Sequence, residues 1–186
     1  MAYINMDDKQ RIFIGIPIGE PTQRAIDRLL ESMNVDDRNL RWVSAKNRHL
    51  TLAFLGDTPK NDVETVLGKF ARTYKPCGPF AYHFSALERF PGASGRIIAL
   101  TGEASDPVHD LAMSTRDMLR KCGLGHERKE FRPHVTLARV RNPKHPLTGV
   151  NRQVRLEMDV TRVVLYRSTL TRTGSIYTEL DVAELR

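Results

Sequence analysis

The sequence predicts an α+β fold, and three observations carry that prediction. Short apolar strand patterns recur along all 186 residues, three segments carry helical spacing instead, and several neighbouring strands are joined by connections too short to contain a crossover helix. At least part of the sheet must therefore be antiparallel. With 40% hydrophobic and 27% charged residues, the chain can bury a sizeable core.

The first strand is expected from Arg11 to Pro17, where Ile12, Ile14 and Ile16 alternate with Phe13 and Gly15, apolar on both faces as in a strand covered from both sides. Pro21 opens a helix in which Ala25, Ile26, Leu29 and Leu30 fall at helical spacing as far as Met33. A short extended piece, Leu40 to Val43, leads into a strand from His49 to Leu55 that Gly56 stops. Pro59 starts a second helix with a stripe of Val63, Val66, Leu67 and Phe70. Strands over 80–90 and 96–101 are joined by Pro91-Gly92-Ala93-Ser94-Gly95, a turn-forming composition. A third helix over 106–121 places Val108, Leu111, Ala112, Thr115, Met118 and Leu119 on one side and ends at Gly123. A strand from His134 to Val140 follows, then a loop over 142–149 and strands over 154–160, 163–168 and 176–180. Strand, helix and histidine strand occur once in each half. The chain 1–186 is accordingly read as a single domain of two lobes related by a weak internal duplication.

The formal charge of +7 favours an anionic partner. Arg128, Lys129, Arg132, Arg139, Arg141 and Lys144 crowd around the second histidine strand. Cys77 and Cys122 lack nearby partners and read as reduced packing thiols, and residues 1–8 carry no basic region followed by an apolar core, so a cytoplasmic protein is the expectation. No run of about 18 apolar residues occurs, and no membrane partner is expected.

Two tetrapeptides of the form His-x-Thr-Leu stand out: His49-Leu50-Thr51-Leu52 and His134-Val135-Thr136-Leu137. For this composition, two such matches arise by chance in roughly one chain in a thousand. Alternation along a strand puts His49 with Thr51 on one face, and His134 with Thr136, while the intervening apolar residues anchor the other face. A protonated imidazole can donate to a leaving alkoxide while a neutral one takes a proton from water, and threonine hydroxyls can hold phosphoryl oxygens. No step needs a metal or other cofactor, and none is expected. Two histidines leave zinc short of its usual three or four protein ligands, and no Asp or Glu shares those faces.

The segments His49-Leu50-Thr51-Leu52-Ala53-Phe54-Leu55-Gly56 and Arg132-Pro133-His134-Val135-Thr136-Leu137-Ala138-Arg139 resemble the paired motifs of the two-histidine (2H) phosphoesterases. The likeness is strongest to their RNA 2′,3′-cyclic phosphodiesterase branch, also called 2′-5′ RNA ligases. It extends to Arg11 to Ile16 and to Val163 to Ser168 with Gly174 and Tyr177, so it spans almost the whole chain. The resemblance implies two pseudo-symmetric lobes, each an antiparallel sheet flanked by helices, enclosing a central cleft with both histidines at its floor. It implies hydrolysis of a terminal 2′,3′-cyclic phosphate to a 2′-phosphomonoester, with His49 as proton donor, His134 as proton acceptor, and Thr51 and Thr136 on the phosphoryl oxygens. The implied partner is RNA ending in a cyclic phosphate, tRNA fragments included, bound by a monomer.

Phe54 matches the family position that stacks on a base and Arg139 the one that meets phosphate or ribose. Each lies five residues past its histidine, so an ideal strand turns it to the opposite face and only a bend brings it into the cleft. Sealing or cleavage of a 2′-5′ linkage by the same pair, and a non-catalytic RNA-end-binding module, are the alternative readings. His83, His109, His126 and His145 read as ordinary residues and Trp42 as a packing tryptophan, while Tyr166 and Ser168 face the cleft if their strand alternates.

Overall fold

Apolar residues on both faces make β1 (Lys9–Pro17) an interior strand, with every residue from Ile12 to Ile16 buried. The computed structural model describes residues 9–33, 37–103, 106–125, 130–142, 150–172 and 174–186. The expectations for residues 1–8 and 143–149, and for Arg128, Lys129, Lys144, His126 and His145, fall outside them.

After β1 come α1 (Glu20–Glu31), β2 (Leu40–Trp42), β3 (His49–Pro59), α2 (Lys60–Tyr74), β4 (Phe80–Phe90), β5 (Ile97–Thr101), α3 (Asp106–Lys121), β6 (His134–Val140), β7 (Arg152–Val160), β8 (Arg162–Thr171) and β9 (Gly174–Glu184), with short 3-10 turns at Asp37–Asn39 and Ala45–Asn47. The strands join in the order β7-β4-β5-β6-β3-β1-β8-β9, with β2 also on β6, and every pair is antiparallel. This is the α+β architecture that the sequence predicts. β8 and β9 run longer than their apolar cores indicate, because ladder pairing extends the hairpin through polar residues to Thr171 and Gly174.

The one continuous sheet narrows to a seam between β3 and β6. β3 and β6 share the single Cα pair Leu50–Val135, then diverge. β2 fills the gap along β6, with Val43 N–H donating to the Leu137 carbonyl and Trp42, Arg41 and Leu40 facing Ala138, Arg139 and Val140. Leu50 and Val135 are fully buried, which turns their neighbours His49, Thr51, His134 and Thr136 toward the other side of the sheet.

Helices cover the Leu50 side. Val63, Val66, Phe70 and Tyr74 of α2 are buried, as are all six predicted α3 residues, each apolar one contributing roughly 1.5–3 kcal/mol relative to exposure if it is a large side chain. The Tyr74 hydroxyl and Thr115 Oγ1 join the two helices at 2.7 Å. α3 ends as expected at Gly123, whose φ of 75° allows Leu124 N–H to reach back to the Leu119 carbonyl. α1 packs against β7 at the far edge of the sheet, with Thr22 Oγ1 donating to the Glu157 carbonyl. No helix among the described residues is long and apolar enough to cross a membrane.

Candidate active site

Each histidine opens a strand, and each Nδ1 lies 2.8 Å from the carbonyl oxygen two residues earlier, Asn47 for His49 and Arg132 for His134. A carbonyl only accepts, so Nδ1 carries the hydrogen and Nε2 is left to exchange protons. One step to either side of the Leu50–Val135 pair, the antiparallel register sets His49 across from Thr136 and Thr51 across from His134.

Phe54 and Arg139 reach the same face by the same device. On β3, partners of β1 run from Gly15–Thr51 to Ile14–Ala53, leaving Leu52 extra. On β6, partners of β5 run from Ala99–Thr136 to Ile98–Ala138, leaving Leu137 extra. A one-residue bulge shifts alternation by one step. Leu52 with Ala53, and Leu137 with Ala138, are consecutively buried, and Phe54 and Arg139 emerge exposed. The bend that their placement needed is therefore present twice, at equivalent positions. Phe54 is 53% exposed, with the Arg11 guanidinium 4.8 Å from its ring centroid.

Aromatic rings hold both imidazoles. His49 packs against Phe13 at 4.6 Å between centroids and meets Tyr177 edge-on at 5.3 Å, while His134 stacks on Phe90 at 4.2 Å. Arg132 also lies over Phe90. Burial pushes the His49 pKa down from 6.5 to about 4; the Asn47 carbonyl partly offsets this, and the charges of His134 and Arg139 add to it. Burial lowers His134 too, opposed by its bond to the Arg132 carbonyl and reinforced by the Arg132 charge. Burial likewise raises Tyr166 to about 12, so its hydroxyl stays protonated beside His49.

A cavity of about 600 Å³ is bordered by His134, Thr51, Phe54, Phe90, Arg116 and Arg132, among others. A smaller one of about 240 Å³ borders His49, Lys46, Arg48, Tyr166 and Tyr177. The histidines thus face different hollows and approach each other at the seam. Arg48, only 8% exposed, ties the start of β3 to α1 through Asp27 Oδ1 at 2.6 Å and Gln23 Oε1 at 3.0 Å. Among the described residues no three of His, Cys, Asp and Glu converge as a metal site.

The pattern of the 2′-5′ RNA ligase superfamily matches residues 21–172, which include both motifs and both bulges. The chain belongs to the 2′-5′ RNA ligase superfamily. Relatives in this superfamily include proteins named RNA 2′,3′-cyclic phosphodiesterase. That of Methanothermobacter thermautotrophicus is 28% identical over 184 residues, covering 95% of this chain and all of the relative. That of Thermus thermophilus is 30% identical over 156 residues, covering 80% and 77%. The crystal structure of TT0787, also from Thermus thermophilus, superposes with a TM-score of 0.81 at 26% identity, over 95% of this chain and 98% of that one. The apo crystal structure of E. coli LigT, at 23% identity and a TM-score of 0.80 over 96% and 98% of the chains, shares the superfamily fold.

Three of the sequence readings outside the motifs meet different ends. Tyr166 is buried with its ring 6.3 Å from that of His49 and Ser168 is buried on the same strand, whereas Trp42 is 36% exposed instead of packed in the core, because β2 is too short to be covered. His83 and His109 are exposed and away from the site. Phe13, Phe90 and Tyr177 were invisible as site residues, since their approach depends on strand pairing; Arg48, adjoining His49 in sequence, carried a local signal.

Proposed function

We propose that this protein hydrolyses the 2′,3′-cyclic phosphate at an RNA end to a 2′-phosphomonoester by acid/base catalysis. The observation that carries the reading is the pair of imidazoles with Nδ1 tied to backbone and a threonine hydroxyl across the seam from each. The names of the relatives supply the substrate class.

His134 Nε2 takes a proton from water as the water oxygen bonds to phosphorus. The bond from phosphorus to O3′ breaks, and His49 Nε2 gives its proton to that oxygen. Thr51 and Thr136 donate to the non-bridging oxygens, Phe54 stacks on the terminal base and Arg139 meets phosphate or ribose. Exchange with solvent resets the pair. Burial disfavours a charged His49, and a phosphate anion bound beside it favours the charged form. Both motifs come from one chain, which suits action as a monomer.

The test is turnover of an RNA ending in a 2′,3′-cyclic phosphate in excess EDTA, with the position of the product phosphate determined. His49→Ala and His134→Ala are each expected to cost about 10²- to 10⁴-fold. Untouched substrate, dependence on added metal, or full activity in both variants would sink the reading.

A further inference from the structure

Asn47 closes the 3-10 turn before β3, and its two ends bind in different directions. Its carbonyl accepts the Nδ1 hydrogen of His49, while its half-buried side-chain Nδ2 donates to the Ser175 carbonyl on β9 at 2.8 Å, 128 residues further along the chain. Ser175 stands two residues before Tyr177, so the bond reaches the strand whose ring meets His49 edge-on at 5.3 Å and Phe13 at 4.8 Å. Other bonds already secure the turn to its surroundings. Asn47 N–H donates to the Ser44 carbonyl, Gln23 Nε2 to the Ala45 carbonyl, and Arg48 binds Asp27 and Gln23 of α1. What the Asn47 amide adds is a fixed placement of the carbonyl against β9.

The same arrangement recurs at the other histidine. Arg132, also two residues before its histidine, offers its carbonyl to Nδ1 and lays its guanidinium over Phe90, the ring that stacks on His134. An amide and a guanidinium have little in common as packing groups. What they share here is that the main chain holds the imidazole while the side chain of the same residue holds the element that carries the ring's aromatic neighbour.

We propose that the Asn47 side chain is a positioning residue for the proton donor: by tying the turn to β9 it holds the carbonyl that keeps a hydrogen on His49 Nδ1 and leaves Nε2 to exchange protons. The ring keeps that Nδ1 hydrogen whether charged or neutral, so the carbonyl must stay in place in both states. A neutral imidazole released from it can move its one hydrogen to Nε2 and turn away. The catalytic consequence rests on the function proposed above, whereas the tautomer does not.

The experiment reads the ring nitrogens of isotopically labelled histidine by NMR in the wild type, N47A, N47D and N47Q, together with kcat and KM on an RNA ending in a 2′,3′-cyclic phosphate. Every variant keeps the main-chain carbonyl. N47A and N47D lose the donor, N47D while keeping the side-chain shape, and N47Q carries the donor one methylene further out. In N47A and N47D the hydrogen of His49 is expected to spread from Nδ1 to Nε2 while His134 stays as it was, and kcat to fall about tenfold with little change in KM, part of which N47Q recovers. An unchanged His49 tautomer, an equal change at His134, or an unaltered kcat would overturn the positioning role. A wild type that leaves the RNA untouched while its His49 tautomer responds to N47A would instead overturn the proposed function and uphold the grip of Asn47 on the ring.

Discussion

His49 and His134 each give the Nδ1 hydrogen to a carbonyl two residues back, and each loses basicity to burial. Both folded pKa values lie below the ordinary 6.5, so lowering the pH through that value leaves the free protein with neutral imidazoles until more acid conditions. The proposed mechanism needs one charged and one neutral ring, a state most populated between the two macroscopic pKa values of the pair. The profile of kcat/KM, which reports the free enzyme, is therefore expected to be a bell with its acid limb near pH 4 and its alkaline limb below 6.5. The kcat profile should lie at higher pH, because the bound phosphate stabilises the charged ring. A kcat/KM optimum above pH 7 would contradict the burial of these rings.

Among the elements, β1 does more than fill the core. A Cβ on Gly15 would lie 2.9 Å from the Leu50 carbonyl oxygen and 3.3 Å from Cδ2 of His49, so the absence of a side chain there lets β3 and its imidazole sit close. Gly15→Ala is expected to displace His49 and lower kcat by about 10-fold or more, with a smaller change in KM, since sub-ångström misplacement of a proton-transfer group is costly. Unaltered kcat in G15A would show that β1 yields without moving the ring. The paired motifs and the buried stripes of α2 and α3 were legible because period-2 and period-3.6 patterns report which face is covered, and the repeated His-x-Thr marked its own importance. The position of Phe54 and Arg139 was not. A bulge adds a residue without changing composition, so the strand pattern read straight past it. The pairing of β2 with β6 was equally hidden, because β2 contributes three residues and its partner strand is distant in sequence.

For the molecule as a whole, the helices tie together distant parts of one continuous sheet. α1 follows β1 yet packs on β7 at the opposite edge, α3 packs on β3, and the chain returns from β7 to finish the far side of the sheet with β8 and β9. Denaturant unfolding is therefore expected as one transition, coincident by far-ultraviolet circular dichroism and by Trp42 fluorescence, which reports the seam. Separate midpoints for the two probes would mean that the lobes unfold independently.

The twin bulges have a consequence for how such a chain can vary. Because one extra residue sits in each bulge, loss of a residue there leaves strict alternation with Phe54 and Arg139 still on the histidine side, whereas gain of one more turns them inward. Substitutions adjust this site by degrees. An added residue between Thr51 and Phe54, or between Thr136 and Arg139, changes which side chains stand beside the histidines at all, so those two short intervals can shorten by one residue more readily than they can lengthen.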